Sequence, residues 1–220
     1  LGFSRSLARL LGGGVTAKCV PGEGGSFSCR LPLQVLAPAP RPAAPQPAAA
    51  DGVLHGMGPL RGLVAELAER LEIANPIHVV VDETTPLAKV YEEIDAASSD
   101  ATITLHAESG ALEDRKRPMS FSAEDAREAL GRMLLRARDR MRTDFTDAPG
   151  DLELTLAENA AWDTYCAGRL ARMGVETNQQ RWRYNHRNRF GFDDGVDAAF
   201  DALWAADDLA WAAVVATARG

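Results

Sequence analysis

Apolar residues recur at three- and four-residue steps over residues 56–72. Met57, Leu60, Leu63, Val64, Leu67 and Leu71 fall on one side, and Glu66 and Arg70 form an i,i+4 pair on the other. That spacing predicts an amphipathic helix. Residues 77–82 are a short β-branched run after Asn75 and Pro76, and predict a strand. Thr85 and Pro86 then supply an N-cap and a first-turn proline, so Leu87, Val90, Tyr91 and Ile94 predict a helix running to about Ala97. Over residues 101–107, Ile103 and Leu105 alternate with Thr102, Thr104 and His106, the pattern of a half-buried strand. Ser122 with Asp125 opens a long helix to about Arg142, with Ala126, Leu130, Met133, Leu134, Ala137 and Met141 on one face. Helical segments at 152–173 and 194–218 complete a helix-rich α+β domain with a small sheet.

The first fifty residues differ in pattern. Leu7, Leu10 and Leu11 predict a short helix that stops at Gly12, Gly13 and Gly14, where glycine enters left-handed φ at little cost. Residues 15–20 and 26–31 read as two β segments of a hairpin around the turn-rich stretch 21–25. Residues 37–50 hold five prolines among alanines, which favours an extended spacer of roughly 40 Å at full stretch. Charge changes sign across it: residues 1–50 carry five Arg/Lys against one Glu, whereas 51–220 carry nineteen against thirty Asp/Glu. The expected division is residues 1–36, a linker at 37–51, and an α+β domain at 52–220.

The first segment carries a resemblance. Leu1, Gly2, Phe3, Ser4 and Arg5 open a helix that ends in Leu11-Gly12-Gly13. Pro21, Gly22, Gly24, Gly25, Ser26 and Phe27 lead through a hairpin to Leu31-Pro32-Leu33. In this order, residues 1–33 of 220 resemble the C-terminal end of a sensor histidine kinase ATP-binding domain of the GHKL (Bergerat) type. The resemblance implies a parent that phosphorylates a histidine with ATP and Mg, acts as a homodimer and signals to a response regulator. Gly2 matches a glycine box whose amides lie near the ATP phosphates, and Ser4 and Arg5 follow in the first turn. The phosphoacceptor histidine, the Mg-holding asparagine helix and the adenine-reading aspartate belong upstream of this segment. The expectation is therefore a truncated GHKL helix-plus-hairpin tail, inert as a kinase by itself and marginal as a separate fold. A start at Leu1 without a signal-like segment reads as a piece of something longer.

Composition narrows the rest. Hydrophobic residues are 46% and charged residues 25% of the chain, an ordinary globular balance. The net charge of -7 argues against broad capture of nucleic acid or anionic lipid. Three unevenly placed cysteines, Cys19, Cys29 and Cys166, suit a cytoplasmic chain with reduced thiols, and Cys166 beside Trp162 and Leu170 reads as a buried thiol. Val79 to Glu83 looks like a Walker B strand end but has no phosphate loop to serve, so it reads as acids at a strand end. The order of domain elements after the spacer, strand, helix, strand, long helix, is distantly similar to zincin metallopeptidases. The long helix carries no histidine, however, and His55, His78, His106 and His186 have no metal-ligand spacing. No catalytic or metal-ligating residue is assigned.

One stretch interleaves bases and aromatics: Arg181, Trp182, Arg183, Tyr184, Arg187 and Arg189, up to Phe190. Read functionally, it clamps an anionic partner. Read structurally, it is a connector between helices whose arginines pair with Asp193, Asp194 and Asp197. Arg132, Arg136, Arg138, Arg140 and Arg142 read as a solvated face offset by Glu124, Asp125, Glu128 and Asp139. Two further functional readings stand beside the kinase tail: a non-enzymatic module that binds an anionic partner through residues 181–190, and a metal-free peptidase-like relic.

Overall fold

The computed structural model describes residues 14–20, 24–30, 57–85, 87–94, 100–114 and 116–218. The expected helix at 3–11, the spacer at 37–50, and Gly2, Ser4 and Arg5 lie outside the described residues. The chain divides into two units, Leu1–Asp51 and Gly52–Gly220. In the first, β1 (Gly14–Val20) and β2 (Gly24–Arg30) pair antiparallel, from Gly14 opposite Arg30 to Val20 opposite Gly24. This is the hairpin expected from β segments at 15–20 and 26–31, with the second strand beginning two residues earlier, at Gly24.

The second unit is mixed α+β. Helix α1 (Met57–Arg70) is followed by β3 (Ile77–Asp82), β4 (Val90–Glu93) and β5 (Ile103–Glu108). The sheet order is β3-β5-β4, with β3 and β5 parallel and β4 antiparallel. Strand β5 is central and strictly alternating: Ile103, Leu105 and Ala107 are buried and Thr104, His106 and Glu108 half-buried. The buried face meets Leu60, Leu63, Leu67 and Leu71 of α1 and Leu130, Met133 and Leu134 of the long helix α2 (Ala123–Arg140). A short hairpin of β6 (Glu113–Asp114) and β7 (Arg117–Phe121) precedes α2 and carries no pattern that sequence reading detected. Ser122 caps α2 by accepting the Asp125 N–H at 3.1 Å, as the sequence suggests.

The helical half is α3 (Leu156–Arg172), α4 (Gln179–Phe190), α5 (Asp194–Ala205) and α6 (Trp211–Ala218). A capping box fixes the start of α3: Thr155 Oγ1 accepts the Glu158 N–H, and Glu158 Oε2 accepts the Thr155 N–H. The helix therefore begins four residues after the position expected from apolar spacing. Phe145, Trp162 and Trp211 form an aromatic core, with ring centroids 5.3 Å apart for Phe145–Trp162 and 5.0 Å for Trp162–Trp211.

Three expectations are corrected. Residues 90–93 form a strand and not a helix. Tyr91 stacks on His106 of β5 at 4.4 Å and 5°, and Glu92 turns inward to Arg140, so sheet pairing overrides a spacing that also suits a helix. Leu87, the first apolar residue of the expected helix, is 63% exposed. Residues 181–190 are not a connector but most of α4, started by Asn178, whose side chain accepts the Arg181 N–H at 3.0 Å. Residues 194–218 are two helices, not one. The Tyr165 hydroxyl donates to the Asp207 carbonyl and accepts the Leu209 N–H, both at 2.9 Å, which satisfies the backbone where the chain breaks between α5 and α6.

Candidate functional site

Helix α4 sorts the basic–aromatic strip into two sides, because residues three and four apart share a face. Inward, Trp182 Nε1 donates to Glu128 of α2, and the Arg132 guanidinium lies 4.9 Å from the Trp182 ring. Arg183 donates to Asp197 and Asp201 of α5 and covers the Phe200 ring at 4.4 Å. Arg187 binds Asp197 through both Nε, at 2.7 Å, and Nη2. The hydrogen bond from Arg187 is the main reason Asp197 sits below the usual carboxylate range. Of the acids expected to pair with this strip, Asp197 does so. Asp193 instead caps α5 by accepting the Val196 N–H at 3.0 Å, and Asp201 takes a pairing that sequence reading did not assign. One helical turn brings Asp197 and Asp201 to the same side of α5, a periodicity signal the sequence contains. His186 is buried between Phe190 and Phe200, and burial, then Arg183, pushes it down to about 4.

Outward, Arg181, Tyr184, Asn188 and Arg189 are exposed on the opposite side of α4. Tyr184 is 59% exposed and meets the edge of Phe192, itself 68% exposed, at 6.4 Å. Among the described residues, Arg181 and Arg189 have no ion pair. Of the six residues singled out in the strip, the fold brings Arg181, Tyr184 and Arg189 to solvent and turns Trp182, Arg183 and Arg187 toward α2 and α5.

The arginines of α2 are corrected as a group, since three of them do not form a solvated face. Positions 132, 136 and 140 are four apart and share one side of α2, where acids distant in sequence meet them: Asp163 on α3, Asp151 in the loop before it and Glu92 on β4. Arg136, 1% exposed, donates to Asp151 at 3.1 Å, to the Asn159 side chain at 2.9 Å and to Asp163 at 2.9 Å. Arg132 also pairs with Asp163, which the two guanidiniums hold below its usual range against the cost of burial. Arg140 donates to Glu92, to Asp151 at 2.8 Å, and to the carbonyls of Ala148 at 3.2 Å and Pro149 at 2.6 Å. The Arg136 and Arg140 guanidiniums also lie 5.1 and 4.8 Å from the Trp162 ring. Behind them Arg169 of α3 binds Asp139 through both terminal nitrogens, and Trp162 Nε1 donates to Asp139 Oδ2 at 2.9 Å. The separations in sequence, such as 48 residues from Arg140 to Glu92, explain why counting charges along α2 missed this.

Glu92 is the least compensated member. Its N–H donates to Asp151 at 3.1 Å and its Oε1 accepts from Arg140, but Oε2 is buried without a partner among the described residues. Burial, offset by Arg140, pushes its carboxyl up to about 7. Glu92 also lines a cavity of about 680 Å³ at the C-terminal end of α2, together with Glu93, Arg140, Arg142, Asp151 and Glu153. The Cys166 thiol is buried and pushed up to about 12, the chemistry of a packed side chain and not of a nucleophile. Asp82 closes the turn after β3, accepting from Thr84 at 2.8 Å (N–H) and from Thr85 at 2.9 Å, the structural role expected for acids at that strand end.

Among the described residues, no group of three or more His, Cys, Asp or Glu is arranged to hold a metal ion. No helix of the described residues is long and apolar enough to cross a membrane. Comparisons with protein-family models, with curated proteins and with solved structures gave no match.

Proposed function

We propose that the chain is the C-terminal part of a histidine-kinase-type signalling protein in which residues 57–218 serve as a non-enzymatic docking module for an acidic segment of a protein partner. The observation that carries the docking role is the division of α4. Its inward arginines are neutralised by Asp197 and Asp201, while Arg181, Arg189 and the Tyr184–Phe192 pair are exposed, and among the described residues Arg181 and Arg189 have no ion pair. In a unit with excess negative charge, two unspent guanidiniums on the outer side of one helix and an exposed aromatic pair offer a local complement to carboxylates or phosphate. The kinase context rests on the resemblance of residues 1–33 and is supported by the antiparallel hairpin at Gly14–Val20 and Gly24–Arg30, where that resemblance expects one.

Fluorescence anisotropy with an acidic phosphopeptide tests the docking role. Arg181→Glu with Arg189→Glu is expected to abolish binding and leave the melting temperature unchanged. Arg183→Ala with Arg187→Ala is expected to lower the melting temperature by releasing α4 from α5. Binding that survives the charge reversal overturns the docking surface. A reading frame upstream of Leu1 without an ATP-binding core overturns the kinase context separately.

A further inference from the structure

We propose that β3 is the pairing edge of a homodimer, in which two copies of the chain join their sheets antiparallel across a two-fold axis at Val79. This interface rests neither on the exposed face of α4 nor on the resemblance of residues 1–33. The sheet order β3-β5-β4 leaves two edges. The β4 edge is closed where the Glu92 N–H, turned away from β5, donates to Asp151 at 3.1 Å. The β3 edge is open. The Ile103 N–H donates to the Pro76 carbonyl at 2.8 Å, and the parallel register runs from Ile77–Ile103 to Asp82–Glu108. Peptide groups of successive strand residues point to opposite edges, so Ile77, Val79 and Val81 turn their N–H and C=O away from β5. Among the described residues, no hydrogen bond reaches these groups. Strand β3 also lacks the lysine, proline or bulge that blunts such an edge.

The occupant is a second copy because the outward row is complementary to itself. With the axis at Val79, Ile77 stands opposite the partner's Val81, and Val79 opposite the partner's Val79. Each such pair exchanges both N–H···O bonds, so every outward group of the row is satisfied. An axis at His78 or Val80 instead leaves one end of the row opposite residues outside the strand. On the core side, the half-buried β-branched side chains of Ile77, Val79 and Val81 meet their like and extend the apolar layer across the axis. On the other face, Val80, 40% exposed, stands opposite the partner's His78. Asp82 lies at the far end, opposite the partner's Pro76 and diagonal to the partner's His78, so the two carboxylates stay apart and each nears an imidazole. Two-fold pairing uses up both β3 edges and closes the assembly, whereas an unblunted edge left free invites open-ended association.

A six-residue edge buries less than a standard interface, so the dimer is expected to be weak. Sedimentation velocity of the full chain should show monomer at about 1 μM passing to dimer between about 0.1 and 1 mM. Amide hydrogen exchange read by NMR should slow at Ile77, Val79 and Val81 in concentrated protein relative to dilute protein. Val79→Pro removes an outward N–H and no bond to β5, and Val80→Lys sets a cation against the partner's His78. Each should raise the dissociation constant about tenfold or more, as for lost hydrogen bonds or a like-charge contact in the pairing. The melting temperature of dilute Val80→Lys should match that of wild type, because the side chain is exposed before pairing. A monomer up to about 1 mM, or a dimer that both variants leave unchanged, would overturn the proposal. Slowed exchange that misses Ile77 or Val81 would overturn the axis at Val79. The exposed Val80 position keeps the test decisive if Val79→Pro alters the fold.

Discussion

Glu92 and His186 are buried titratable side chains whose burial acts on stability in opposite directions with pH. Glu92 is raised from 4.5 to about 7 by burial. Between those values the native state holds a proton that the unfolded chain has released. Its contribution is therefore complete below pH 4.5 and is lost as pH rises through about 7, a change of about 3 kcal/mol. His186 is lowered from 6.5 to about 4, so its contribution is complete above pH 6.5 and is lost as pH falls toward 4. The two windows overlap and offset each other. Chemical denaturation from pH 4.5 to 7.5 is expected to show a stability curve that climbs with pH in Glu92→Gln, where only the histidine acts. In His186→Phe, which suits the ring contacts of Phe190 and Phe200, the curve is expected to fall with pH. Parallel curves for wild type and both variants would refute this assignment.

At the scale of elements, the crossing of α3 and α5 depends on one glycine. A Cβ at Gly168 would stand 2.2 Å from the Trp204 carbonyl oxygen, a backbone atom that cannot step aside without moving α5. Gly168→Ala is expected to destabilise the module by roughly 1–3 kcal/mol, as overpacking does, measured as a lower denaturation midpoint with unchanged slope. The pairing of α2 with α3 depends on Asp139 and Arg169, which are 0% and 4% exposed. Asp139→Ala leaves a buried guanidinium without its partner and is expected to cost about 3–5 kcal/mol. Adding Arg169→Met should recover part of that loss, which a double-mutant cycle reads directly. Additive losses would show that the two side chains do not act as a pair. These elements were unequally legible in the sequence. Helix α2 was plain from its Ser122 cap and its helically spaced apolar residues, and strand β5 from its strict alternation of buried and half-buried positions. Strand β4 was not, because Val90, Tyr91 and Ile94 fit either period and only the partner strand decides between them.

Across the whole molecule, local pattern fixed the composition of the fold: an antiparallel hairpin in the first unit, and in the second an α+β set with a long capped helix after a small sheet. Caps, turn glycines and apolar spacing act within a few residues, so they can be read along the chain. The strip at 181–190 was visible as unusual, but its division into an inward, neutralised side and an outward, free side was not, since the acids that choose between them stand on α5. The α2 arginines were misread for the same reason. A cation's surroundings are set by residues such as Glu92, Asp151 and Asp163, which only chain folding brings within reach. The sequence alone therefore determined which segments would be helix or strand wherever a single period held. Tertiary structure decided which charges are buried and paired, which remain free, and where a cavity is left. Hydrogen bonds and ion pairs act over a few ångströms of space, whatever the separation along the chain.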